Sequence, residues 1–253
     1  MDNSIMRPPD GTHSAEPRAV LITVVVYNEG ARVQKVLNSL ASRPDCCDVL
    51  IVDDASSDDT GTFLAASGFP VIRHAVNAGV GAGIKDSIDY GLKNGNRFLV
   101  VMAGNGKMDP VDIPKLIQPL LNNECDYVQG SRYLDGGRWS NVPLFRHIMI
   151  KIFTWIVAVF TGFKGTDVTC GFRAYSLSLF RDHRINIWQD WLNRYELEFY
   201  LHNRVIKYGY RIKETPVGMT YPVDGRAYSK IRPFAGWWSM VRPWVLLTLR
   251  LRS

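Results

Sequence analysis

Between Ala19 and Gly130 five short apolar runs alternate with segments of helical period, and few folds accommodate that rhythm. Ala19–Val26 is a continuous run rich in β-branched residues, Asp48–Asp53 reads DVLIVD, and Pro70–His74 is a short third run. Arg97–Met102 reads RFLVVM, and Asp126–Gly130 completes the set. Runs without polar alternation belong to strands buried on both faces. Between them, Ala31–Ser42 sets Val33, Val36, Leu37 and Leu40 at helical spacing. Ser57-Asp58-Asp59 opens a second helix, Gly83–Lys93 forms a third, and Val111–Asn122 follows Pro110 as a fourth. The pattern predicts an α/β fold, a mostly parallel sheet with helices on both faces. Ligands of such sheets bind beyond the carboxyl ends of the strands, so the residues just after each strand are the candidates for chemistry.

Beyond Gly130 the rhythm changes. Ser131–Pro143 is a polar loop, Leu144–Phe163 a long apolar helix, Cys170–Ser176 a strand, Arg194–Tyr208 a helix, and Arg211–Val217 a strand carrying Pro216. With 253 residues, 46% of them hydrophobic and 21% charged, the chain can bury a sizeable core, which excludes a disordered or collagen-like protein. Cys46, Cys47, Cys125 and Cys170 have no CxxC spacing, so reduced thiols are expected rather than a zinc site or disulfides. His13, His74, His147, His183 and His202 form no metal spacing and read as structural. Met1–Arg18 lacks the apolar centre of a signal peptide. Ile148–Phe163 is broken by Lys151 and falls short of the roughly 20 residues of a spanning helix, so neither secretion nor spanning is expected. Net charge is +6, yet residues 204–253 alone carry +8 and the rest −2. Such a tail suits a polyanion, whether phosphates, acidic lipid headgroups or nucleic acid.

The strand ends are polar and specific. The first closes in Val26-Tyr27-Asn28-Glu29-Gly30 and the second in Asp53-Asp54-Ala55-Ser56-Ser57. Two acids there either accept hydrogen bonds from a base or ribose, or cap the next helix, and both readings stay open. Asn77-Ala78-Gly79-Val80-Gly81-Ala82-Gly83 follows the third strand, where its glycines permit close approach of a phosphate or sugar. Its GxGxG spacing, after the third strand rather than the first, argues against a dinucleotide dehydrogenase.

Taken in order, VVVYNEG, IVDDASSDDT, NAGVGAGI, VVMAGNGKMDP, GSRY, DVTCGFRAY and GRAYSK resemble the family 2 glycosyltransferases, and among them the polyprenyl-phosphate subgroup typified by dolichol-phosphate mannose synthase. The resemblance runs from about Ala19 to Lys230. It implies a GT-A nucleotide-sugar transferase fold and inverting transfer of a sugar from a nucleotide-diphosphate sugar. Val26, Tyr27, Glu29 and Asp54 would line the base and ribose pocket, and Arg226 and Lys230 would belong to a late loop closing on the diphosphate. Ser131, Arg132 and Arg173 match positions near the acceptor, and Asp167 an acid beside the reaction centre. Lys107, Arg132, Arg173 and Asp167 are the expected catalytic set. Ala103-Gly104-Asn105-Gly106-Lys107 falls where the family carries its metal-binding DxD, leaving Asn105 as the one candidate ligand and Lys107 in place of the family's glutamine.

A divalent ion, magnesium or manganese, is therefore expected to be weakly required or absent, with Lys107 supplying part of the charge at the leaving diphosphate. Asp109 precedes Pro110 and reads as a helix cap. A phosphate acceptor is already anionic and needs cations, whereas a hydroxyl acceptor needs a carboxylate base, for which Asp167, Glu196 and Glu198 are candidates. The arginine-rich acceptor side favours a lipid phosphate, and no nucleic-acid partner is expected. Two alternatives stay open: a soluble or polysaccharide hydroxyl acceptor, and a nucleotide-sugar-binding protein without catalysis. The expected organisation is a disordered tail (1–18), one catalytic domain (19–232, with a nucleotide half to 130 and an acceptor half beyond) and a basic, Trp-rich amphipathic helix (233–253). Trp155, Trp237, Trp238 and Trp244 beside basic residues suit peripheral contact at the cytoplasmic face of a membrane.

Overall fold

The computed structural model describes residues 5–6, 18–221 and 235–248, the last segment in part by its backbone alone. In chain order the strands are β1 (Ile5–Met6), β2 (Val20–Val26), β3 (Cys47–Asp53), β4 (Val71–Arg73), β5 (Phe98–Ala103), β6 (Tyr127–Ser131), β7 (Arg138–Ser140), β8 (Arg173–Ser176), β9 (Ile212–Pro216) and β10 (Gly218–Thr220). The helices are α1 (Ala31–Leu40), α2 (Thr60–Ala65), α3 (Val80–Lys93), α4 (Ile113–Leu121), α5 (Leu144–Thr161), α6 (Glu196–Lys207) and α7 (Ala235–Thr248).

Eight strands form one sheet in the order β1-β4-β3-β2-β5-β8-β6-β9, and β7 and β10 pair in a small parallel ribbon. The block β4-β3-β2-β5 is parallel, as the alternation predicts, and β6 runs parallel to β9. β8 enters antiparallel between β5 and β6. It follows β6 through α5 rather than through a right-handed crossover of the first kind, which is why the rhythm of the sequence broke there. One part of the expected disordered tail is ordered. Ile5 and Met6 pair with Ile72 and Val71, covering the open edge that the three-residue β4 would leave.

Strand residues alternate between two cores. Val20, Ile22, Val24 and Val26 face Val33, Val36 and Leu37 of α1 and Leu116, Ile117 and Leu120 of α4. Leu21 and Val25 face Ile84 and Ile88 of α3 and Leu197, Tyr200 and Leu201 of α6. Period-two burial on both sides leaves no polar position in β2 except Thr23, whose hydroxyl meets Ser87 at 2.6 Å. A third cluster joins Phe153 and Val157 of α5 to Phe199 of α6 and Trp244 of α7.

α5 is held along that inner stripe and, near its start, by Arg146 over the Tyr221 ring and by His147 against Tyr133. Leu144, Phe145, Ile148, Ile152, Trp155, Val159 and Phe160 are exposed, Phe145 by 67% and Trp155 by 66%. Contrary to the expectation from Lys151, its 18 residues are long and apolar enough to cross a membrane by length and composition, and 22% of them are buried.

Candidate active site

Register brings the functional ends together. Val26 pairs with Asp53 and Val25 with Ala103, so the segments after β2, β3 and β5 leave the sheet at one level. β2 connects outward to β3 on one side and meets β5 on the other, so the crevice between β2 and β5 is the switch point of the sheet. The main chain is drawn tight there. Asp54 N–H donates to Val26 O and Gly104 N–H to Val25 O. A side chain at Gly104 would put Cβ 2.3 Å from Val26 Cγ1, so glycine is required for this approach.

Asn28 takes φ +49° at the end of β2 and ties to the neighbouring loop: its N–H donates to Ser56 Oγ, and its Oδ1 accepts from Ser57 N–H. Thr60 Oγ1 accepts from both Glu29 and Gly30 N–H at 2.9 and 2.8 Å. Glu29 is left buried against Arg32, 3.2 Å away, and Tyr27 half-buried beside it. Val26 points into the core.

Asp54 has a different task from the one its position suggests. Its carboxylate accepts from Ala78 N–H, Gly79 N–H and Asn77 Nδ2, and meets His74 Nδ1 at 2.7 Å. It is 3% exposed and shapes the glycine-rich loop from within. His74 Nε2 meets Asp86 at 2.8 Å. The hydrogen bond to Asp54, then that to Asp86, raises His74 to about 9 against the opposing effect of burial. The loop's glycines admit the main chain of 192–193: Cβ atoms at Gly79 and Gly81 would lie 2.4 Å from Asn193 O and 2.2 Å from Leu192 O. Ala82 N–H donates to that same Asn193 carbonyl, locking 192–194 over the start of α3.

The turn after β5 carries Lys107. Asn105 Oδ1 accepts from Lys107 N–H, Gly106 takes φ +72°, and Lys107 O accepts from Thr220 N–H, which brings Tyr221 alongside. Lys107 Nζ lies 4.8 Å from the centre of the Tyr221 ring and Arg146 Cζ 5.4 Å from it. Arg132 Nη1 donates to the Tyr221 hydroxyl at 3.3 Å. Three cations thus surround one ring, contributed by the β5 turn, α5 and the end of β6. Lys107 is 7% exposed, and burial, then the Arg146 charge, pushes it down to about 8 although Glu29 pulls the other way. Asp109 caps the 3-10 turn at Pro110, accepting from Val111 N–H, as read from its place before proline.

The acceptor-side residues are not equally accessible. Arg132 and Asp167 form a buried pair, Nε to Oδ2 at 2.5 Å and Nη2 to Oδ1 at 3.2 Å, and Thr169 donates to Asp167 twice. Ser131 Oγ accepts from Tyr133 and Leu134 N–H and meets Thr166 Oγ1, and the side chain is wholly buried. Arg173 sits two residues inside the sheet, level with Val101 and Gln129. Its guanidinium spans Cys170 O, Val168 O and Glu198 O, and it is 1% exposed. Glu198 reaches to 3.7 Å from Arg173, and burial holds its carboxyl above the ordinary range despite that charge. Glu196 points elsewhere, into a hollow of about 360 Å³ lined by Ala78, Trp191, Asn193 and Arg242. Arg226 and Lys230 lie outside the described residues. Arg146 and Tyr221 were not singled out by the motifs. An arginine in the first turn of a largely apolar helix was the signal for the former, and nothing local marks the latter.

The family model for glycosyl transferase family 2 matches residues 21–184. The undecaprenyl-phosphate mannosyltransferase of Micrococcus luteus is 29% identical over 203 residues, 78% of this chain and 82% of that one. The polyprenol monophosphomannose synthase of Mycolicibacterium smegmatis is 27% identical, covering 79% and 77% of the two chains. Among solved structures, the glucosyl-3-phosphoglycerate synthase of Mycobacterium tuberculosis superposes with a TM-score of 0.63 at 18% identity, over 92% of this chain and 80% of that one, which supports a shared GT-A fold. That enzyme has also been crystallised with Mn2+, uridine diphosphate and glucosyl-3-phosphoglycerate.

Proposed function

The chain belongs to glycosyl transferase family 2, and we propose that it moves a hexosyl group from a nucleoside-diphosphate sugar to a polyprenyl phosphate with inversion. One observation carries the acceptor: Arg146 faces the cation cluster from the first turn of α5, while Phe145 and Ile148 of that turn and the next stand exposed. A ligand suited to both has an anionic head and a hydrocarbon tail. The names of the two bacterial relatives agree with it.

In this reading residues 19–130 hold the donor and 131–232 the acceptor within one catalytic domain. Tyr27 and Glu29 receive the base and ribose, Asn105 lies along the sugar diphosphate, and Asp54 acts by shaping the adjacent loop. A phosphate oxygen of the acceptor attacks the anomeric carbon while the bond from that carbon to the diphosphate oxygen breaks. The electron pair leaves with the nucleoside diphosphate. Arg146 and Arg132 hold the attacking phosphate in line, so positioning and charge supply most of the acceleration. Arg132 is itself oriented by Asp167, and Arg173 and Ser131 position the surrounding backbone. The expected contact of Arg226 and Lys230 with the donor diphosphate falls on residues outside those described.

The turn residues do not fit the divalent ion that the fold implies. Ala103 offers no ligand, the Asn105 amide oxygen is neutral and already accepts from Lys107 N–H, and the Lys107 ammonium repels a cation. No step is routed through a metal, which is weakly required or absent.

A hydroxyl acceptor is the second reading, favoured by Glu198 alone. Burial raises its carboxyl above the ordinary range, the direction a general base requires. Asp167 is consumed by Arg132 and Thr169, and so serves that reading poorly. The exposed stripe of α5, with Lys151 beside Trp155, supports docking at the cytoplasmic face of an anionic membrane. Incubation with a panel of nucleotide sugars and a short polyprenyl phosphate should release nucleoside diphosphate and form a lipid-linked sugar. Arg146→Ala should cut kcat/KM for the lipid at least tenfold. Transfer to free sugars or water alone, unchanged in that variant, would overturn the lipid acceptor.

A further inference from the structure

Family 2 membership makes the turn after β5 the place where donor phosphates gather, and this chain has put a buried amine there. Lys107 is held on all sides. Its carbonyl is fixed to Thr220 N–H, its N–H to Asn105 Oδ1, and its ammonium to the face of Tyr221. Among the described residues the charges it feels come from four different elements: Glu29 after β2, Arg32 on α1, Arg132 after β6 and Arg146 on α5. Three of these are cations and one is an acid, so the described surroundings of the ammonium are positive on balance. A charged amine in such a place is costly to hold and strongly drawn to an anion. A second cation there, such as a divalent metal, would face the repulsion without the ligands to offset it.

We propose that Lys107 is the built-in counter-ion for a nucleoside diphosphate, replacing the divalent ion, so that the donor's diphosphate binds this chain without metal. The inference rests on the nucleotide-sugar reading above.

The test uses the full chain with UDP, GDP, ADP, CDP and dTDP, titrated calorimetrically in EDTA and again in excess Mn2+ or Mg2+. At least one diphosphate should bind with equal affinity, within twofold, under both conditions. Lys107→Met keeps the volume and removes the charge; it should weaken that binding tenfold or more, and Lys107→Arg should recover most of it. A thermal melt of each variant confirms that it is folded. Binding that needs the metal, or that survives Lys107→Met unchanged, overturns the inference and leaves the nucleotide-sugar reading standing. Failure of every nucleotide to bind, with and without metal, overturns both.

Discussion

Asp167 shows how a residue that touches no substrate can still decide the site, through the Arg132 guanidinium it orients. Both are buried, and each satisfies the other together with Thr169 and the Tyr221 hydroxyl. Removing one partner strands a charge in a poorly solvated place, at a cost of about 3–5 kcal/mol. Arg132→Ala and Asp167→Asn should thus each lower stability in urea by about that amount. The double change Arg132→Met with Asp167→Leu should recover much of it while leaving turnover low, because the guanidinium beside Tyr221 is gone. Equal turnover in the double variant and the wild type would remove Arg132 from the mechanism. Lys in place of Arg132 cannot substitute, since one ammonium cannot span both Asp167 oxygens and the tyrosine.

Among the described residues, none covers the exposed outer face of α5. Its inner residues Phe153 and Val157 pack on α6 and α7, and its outer residues at 145, 148, 152, 155 and 159 repeat at helical spacing along one stripe. Replacing Phe145, Trp155 and Phe160 together by serine should reduce flotation with anionic liposomes at least tenfold. The melting temperature should barely move, because exposed substitutions are worth about 0.5 kcal/mol or less each. Flotation unaffected by the triple change, or absent in the wild type at low salt, would rule out this face as the docking surface. The helix itself was legible from its length and apolarity. Which face is buried was not, because Trp155 and Phe153 look alike until α6 is in place. β2, β3 and β5 were legible nearly to the residue, since strands buried on both faces carry continuous apolar runs. The glycine-rich loop was legible only in part: glycine announces a close approach, but not whether the approaching atom belongs to a ligand or, as at Asn193, to the chain itself. Arg173 shows the same limit, because a motif gives a residue type and only register reveals that it lies inside the sheet.

At the scale of the whole molecule, several buried groups make stability depend on alkaline pH with opposite signs. His74, raised from 6.5 to about 9 by Asp54 and then Asp86, binds its proton more tightly folded than unfolded. Its contribution is complete below pH 6.5 and is lost as pH rises to 9. Cys47, Cys125 and Cys170, pushed up by burial from 9.0 to about 12, 11 and 12, act in the same direction at higher pH. Unfolded thiols ionise from pH 9 upward while folded ones do not, so stability keeps falling there. Lys107 runs the other way. Its charge is penalised in the fold, and that penalty fades between pH 8 and 10.5 as the amine loses its proton. Only His74 acts below pH 8 among these groups, so the first decline belongs to it. The melting temperature of the wild type should therefore fall between pH 6.5 and 8. His74→Gln, which can still donate to Asp54 but does not titrate, should start lower at pH 6 and stay level across that interval. The two curves should converge above pH 9, as the wild-type imidazole gives up its proton. Parallel curves over the whole range would mean that the ion pairs from β4's end to the loop and to α3 add nothing to the fold.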